Sequence, residues 1–151
     1  MATIKRVTVD SKQLNGFTIE AQARNHKVII DQPEASGGQN CGPNPLEYLF
    51  FSLAGCIITI GHIIAKQRHL PVRNIQVRVE GDIDTDVLMG KSTAERAGFT
   101  NIRVITSIDA DMTQAEKEQF LRDIDARCPI SDNIHNLSPI ELIVEEVAIP
   151  L

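Results

Sequence analysis

Polar and apolar side chains alternate through the first thirty residues, in KRVTVD, GFTIEAQA and HKVIID, and Asn15-Gly16 stands between two of these runs as a hairpin signal. The pattern predicts an antiparallel N-terminal sheet. It breaks at DQPEASGGQNCGPNP, residues 31–45, whose three prolines and three glycines exclude a helix and a central strand and leave an ordered loop or a lid. Asn44-Pro45 then offers an N-cap and a first-turn proline for a helix running to about His69, before Pro71. From Tyr48 to Ala65 that helix is apolar around its whole circumference, so one sheet on one face could not cover it and it should lie at the centre of the fold.

Residues 72–84 alternate again, with Ile75, Val77 and Val79 on one side and Gln76, Arg78 and Glu80 on the other, as in a half-buried strand. Residues 85–98 read as a short helix or loop, and FTNIRVITSIDAD as a further strand. Thr113 and Glu116 form a capping box for a helix on which Phe120, Leu121 and Ile124 make one apolar stripe, continued by Cys128. Beyond Pro129 a second short helix, ISDNIHNL, is expected, and IELIVEEVAI closes the chain as a strand. This order is α+β rather than a βαβ alternation, which disfavours a doubly wound nucleotide fold.

With 151 residues the chain fits a single domain, 1–151. Fifteen basic against twenty acidic residues, no Trp and one Tyr leave neither the charge nor the stacking platforms of a nucleic-acid binder. The opening MATIKRVTVD has no apolar secretory stretch, so a cytoplasmic location is expected. The long apolar segment approaches the length of a membrane span, but Ser52, Gly55, Thr59, Gly61 and His62 interrupt it, and no membrane association is expected. A domain this small encloses a central helix more easily when a second subunit supplies part of the wall, which makes an obligate homodimer the expectation.

Three cysteines, Cys41, Cys56 and Cys128, are too few and too odd in number for a secreted disulfide framework, so any disulfide here would be transient and chemical. Cys56 follows Ala54-Gly55, where a second backbone or a substrate can approach closely, and Cys128 lies between Arg127 and Pro129 at a helix–helix junction. Positive charge and unsatisfied amides both favour the thiolate, the form that reacts. The plainer role of a buried cysteine is that of a small core hydrophobe. Glu47 stands nine positions before Cys56, and at about 100° per residue the two point to opposite sides of one straight helix. Either Glu47 reaches a site made with a partner subunit, or it only complements the positive end of its own helix.

Two other patterns lead nowhere. Gly90-Lys91-Ser92 matches the end of a phosphate loop, but Thr85 stands where the first glycine should be. The cysteines together with His26, His62, His69 and His135 lack paired zinc-ligand spacing, so neither a metal nor another cofactor is expected.

GPNPLEYLFFSLAGC followed much later by RCPISDNI, with ARNHKVIIDQP and GGQNCGPNP upstream, resembles the osmotically inducible protein C and organic hydroperoxide resistance (OsmC/Ohr) superfamily over roughly residues 20–145. The resemblance implies an intertwined α+β homodimer with antiparallel sheets around two long central helices and active sites at the subunit interface. It also implies a thiol peroxidase that reduces organic hydroperoxides, and less well hydrogen peroxide, at the expense of a dithiol or lipoylated reductant. Carried over by position, Cys56 is the peroxidatic cysteine and Cys128 the resolving one, with Arg24 and Glu47 assisting. In the best-characterised peroxidase branches the assisting glutamate directly follows the Asn-Pro pair; here Leu46 takes that place and Glu47 comes one position later. The alternative expectation for this chain is an OsmC-like dimeric module that binds a small apolar or electrophilic ligand at the dimer interface without peroxidase turnover.

Overall fold

A computed structural model describes residues 2–145 of the chain. They are α+β and fall into two compact units, one comprising residues 2–49 with residues 140–145, the other Phe50–Pro139.

In the first unit β1 (Asp10–Asn15), β2 (Thr18–Ala23) and β3 (His26–Ile30) form an antiparallel meander in sequence order. Gly16, at φ 53°, makes the first turn where the Asn-Gly signal predicts it, and Arg24, at φ 56°, makes the second. Ala21 pairs with Val28 and Ile19 with Ile30, so the alternation seen in the sequence becomes one shared face. The predicted strand in KRVTVD does not form before Asp10: residues 2–9 join no strand, with Ile4, Val7 and Val9 exposed.

The Pro/Gly-rich segment after β3 is an ordered loop, held from inside by Asp31. That carboxylate is 1% exposed and accepts the backbone N–H groups of Gln32 (2.8 Å), Gln39 (3.1 Å) and Cys41 (3.1 Å). Burial alone would raise its pKa, but these three amides and the Thr18 hydroxyl outweigh burial and hold it below the usual carboxylate value. The glycines are there for room: a Cβ on Gly38 would stand 2.0 Å from the Gln32 carbonyl oxygen, and one on Gly42 2.3 Å from that of Ile29.

Helix α1 (Pro45–Arg68) begins at the predicted signal, with Asn44 Oδ1 accepting the Glu47 N–H at 3.0 Å and Glu47 Oε2 accepting the Asn44 N–H at 2.8 Å. It stops at His69, which takes the left-handed conformation at φ 54° while the Leu70 N–H closes back on the Ala65 carbonyl. In the second unit the hairpin β4 (Val72–Ile83) and β5 (Phe99–Ala110) pairs Ile75 with Ile108 and Val79 with Val104. The ambiguous stretch between them opens with the four-residue helix α2 (Thr85–Leu88). Helix α3 (Gln114–Asp125) carries the predicted Thr113/Glu116 capping box, and α4 (Pro129–His135) follows.

One core joins these elements: Leu53, Ile57, Ile64 and Ala65 of α1, Ile108 of β5, Phe120 and Ile124 of α3, and Cys128. Gly61 lets α1 sit close, since its missing Cβ would lie 2.6 Å from Ile75 Cδ1 and 3.1 Å from Ile124 Cδ1. The helix is nevertheless covered on one face only. Phe51 is 58% exposed and Ile58 39%, because a single hairpin and α3 can wall one side of a cylinder and no more. By length and composition alone α1 could cross a membrane. The predicted closing strand IELIVEEVAI is not a strand over residues 140–145, which are exposed and join neither of the described sheets. Its last residues lie outside those described.

Candidate functional site

Two of the expected residues meet inside the second unit. Cys56 occupies the half-buried border of the buried face of α1, one residue before Ile57. Cys128 is 1% exposed and belongs to the core, in the short joint between α3 and α4. Cys56 packs against the core cluster that contains Cys128, and both the Cys128 thiol and the backbone amide of Ile130, in the first turn of α4, act on its titration. All three cysteines are free thiols.

The joint explains why two sulfurs so far apart in sequence converge. The α3 stripe of Phe120 and Ile124 drives that helix onto α1, and Cys128 continues the stripe toward the same helix. Pro129, which has no N–H to leave unsatisfied, then starts α4 at its first position, with Cys128 as N-cap at φ −81° and ψ 109°. The Cys128 sulfur accepts the Ser131 N–H at 3.4 Å, the place normally filled by a side-chain oxygen.

These surroundings act on Cys56 in opposite directions. Burial, together with the side chain and the charge of Cys128, pushes its pKa up to about 11, and the Ile130 amide works against that rise. No cation stands among these influences. Arg127, the expected source of positive charge, donates instead to Gln67 Oε1 at 3.0 Å.

Arg24 and Glu47 lie in the first unit. Arg24 is exposed in the β2–β3 turn, its carbonyl accepting from the Gln22 side chain at 2.7 Å. The Glu47 carboxylate closes the reciprocal cap with Asn44, as the helix-end alternative for this residue has it. Cys41 is exposed beside the Asp31 clamp.

Phe50 stacks on Phe99 with ring centroids 4.6 Å apart and Phe51 is turned outward, whereas Ile57 joins Val104, Leu121, Arg122 and Asp125 around a cavity of about 370 Å³. Among the described residues no three His, Cys, Asp or Glu side chains converge to hold a metal ion. The residues hidden from sequence reasoning are the partners of the joint, Ile130, Ser131, Asp125 and His135. The one local signal for them is a serine three places after an N-cap cysteine.

The OsmC-like protein family matches residues 36–143, a stretch that runs through parts of both compact units. Among solved structures the fold is similar to that of an OsmC-like protein from Mycoplasma pneumoniae, at 18% identity over 89% of this chain and 91% of that one, with a TM-score of 0.78. An organic hydroperoxide resistance protein OsmC from Legionella pneumophila aligns at 18% identity over 84% and 88% of the two chains, with a TM-score of 0.63. A hydroperoxide resistance protein from Vibrio cholerae, with captopril bound in one of its active sites, aligns at 14% identity over 91% and 89%, also at 0.63. Comparison with curated proteins gave no match.

Proposed function

Because this chain belongs to the OsmC-like family, we propose that it is a thiol peroxidase for organic hydroperoxides, with hydrogen peroxide a poorer substrate. The observation that carries this reading is the pair of free thiols, Cys56 and Cys128, packed together in one core. The Cys56 thiolate attacks a peroxide oxygen, the O–O bond breaks, and an alcohol leaves with a Cys56 sulfenic acid behind it. Cys128 as thiolate then attacks that sulfur, the S–O bond breaks, and hydroxide departs as water once protonated, leaving a disulfide. Closing it keeps Cys56 from further, irreversible oxidation. A small dithiol or a lipoylated protein returns both thiols by exchange.

The chemistry needs a cation that the thiol pair itself lacks. Arg24 supplies it in this reading, always charged and able to hold a peroxide oxygen, and Glu47 steers the guanidinium. The setting is a homodimer of single OsmC-like domains, residues 1–151, in the cytoplasm, with no cofactor and no nucleic-acid or membrane partner. The outward apolar side chains of α1 and the unpaired segment 140–145 support assembly, since apolar surface of this kind is what association buries.

The test is consumption of cumene or tert-butyl hydroperoxide with dithiothreitol or a lipoylated protein as reductant. Wild type turns over and Cys56→Ser does not; no peroxide loss in the wild type defeats the enzyme for these substrates. A second reading has its own support in the raised pKa of Cys56, which holds the group as a neutral thiol at pH 7. In that reading the protein is a dimeric module that binds a small apolar or electrophilic ligand without turnover, and Cys56→Ser keeps its affinity for an apolar ligand.

A further inference from the structure

Cys128 is an unusual helix cap, because sulfur, which accepts the Ser131 N–H at 3.4 Å, is a weaker acceptor than the usual side-chain oxygen. Something else must hold the joint. Ser131 is 4% exposed, and its hydroxyl donates to Asp125 Oδ1 at 2.5 Å. Asp125 is the last residue of α3 and Ser131 lies in the first turn of α4, so one hydrogen bond ties the residue three places before Cys128 to the residue three places after it. His135 adds a second brace, its Nδ1 3.0 Å from the Ser131 carbonyl oxygen and 3.3 Å from the Ser131 hydroxyl.

We propose that Ser131 and Asp125 are positioning residues for Cys128: their hydrogen bond locks the α3–α4 joint so that the resolving sulfur faces Cys56 and the disulfide can close. Neither touches a substrate in this role. Both act through the place they give to Cys128 and, by way of the first turn of α4, to the Ile130 amide at Cys56. A loosened joint leaves the two sulfurs reactive but lowers the effective concentration of one beside the other, and that concentration sets the stability of an intramolecular disulfide. The proposal rests on the thiol pairing used in the proposed function, but not on peroxide as the oxidant.

The experiment therefore uses full-length protein with Cys41→Ser and a glutathione redox buffer. Oxidised glutathione accepts two electrons and releases two reduced glutathiones, while Cys56 and Cys128 give up two protons and form one S–S bond. The closed fraction is read by acid quench, alkylation and mass. Ser131→Ala and Asp125→Ala each lower the equilibrium constant for closure about tenfold, roughly 30 mV, and the double variant falls little further because both remove the same bond. Asp125→Asn retains an acceptor oxygen and restores closure to within about twofold of wild type; Asp125 is exposed, so its variants keep the core intact. Wild-type equilibrium constants in Ser131→Ala and Asp125→Ala overturn the proposal, as does a wild type that never closes the disulfide in this buffer. A protein that closes it with glutathione yet consumes no hydroperoxide overturns the peroxidase reading and leaves the positioning role standing.

Discussion

Cys56, on the border of the buried face of α1, packs against the core cluster that holds Cys128, whose thiol caps α4. Burial and this neighbour hold the proton on Cys56, raising its pKa from 9.0 to about 11, against the pull of the Ile130 amide. Alkylation of Cys56 by iodoacetamide should therefore accelerate only in the alkaline range, and Cys128→Ala should move the acceleration to lower pH by removing two of the raising influences. A midpoint well below 11 in the assembled protein, rising on dilution to monomer, is expected if a subunit interface delivers the Arg24 cation. Because the folded thiol keeps its proton longer than an unfolded one, its contribution to stability is whole below pH 9 and is lost as pH rises toward 11. Urea titrations from pH 8 to 11, wild type beside Cys56→Ser, measure that loss.

Removing the buried clamp should release the loop it holds. Asp31→Ala leaves the amides of Gln32, Gln39 and Cys41 without their acceptor, so proteolytic cleavage within residues 32–43 should become fast while β4, β5 and α3 stay protected. The pKa of Asp31 is lowered in the fold, so the stability it contributes is present above the ordinary carboxylate value of 3.8 and is lost as pH falls below it. Unchanged cleavage kinetics would deny the clamp its role.

Phe120, 2% exposed, fills the centre of the core. Phe120→Ala should cost about 3–5 kcal/mol in urea unfolding, by lost transfer energy together with the cavity left behind. Thr113→Ala, at the capping box of α3, should cost about 1 kcal/mol.

Ile58 stands on the open side of α1. If two copies bury that side against each other, Ile58→Lys should convert a dimer mass into a monomer mass in sizing with light scattering, while the far-UV spectrum stays that of the folded chain. A monomer mass for the wild type at micromolar concentration removes the homodimer from the proposal.

Where a structure is set by neighbours in the chain, the sequence displays it. The Asn44–Glu47 and Thr113–Glu116 caps, the turn at Gly16, the stop at His69 and the alternating strands β4 and β5 all depend on a few adjacent residues, and each stands where the pattern puts it. KRVTVD and IELIVEEVAI have equally clear strand periodicity, yet residues 2–9 and 140–145 are not strands, because ladder hydrogen bonds require a docked partner strand that periodicity alone does not specify. The open side of α1 has a related reason: composition measures how apolar a helix is, not how many walls one chain can build around it.

The chain's own residues determined the elements, their order, the family motifs and the identity of the two cysteines, because propensity, capping and turn chemistry act over a few positions. Tertiary structure decided that Cys56, Cys128 and Ile130 pack into one cluster, that Arg127 turns to Gln67, and that Asp125 and Ser131 brace the joint. Those are relations between elements, fixed by packing the α3 stripe against α1, and no spacing within a single element encodes them.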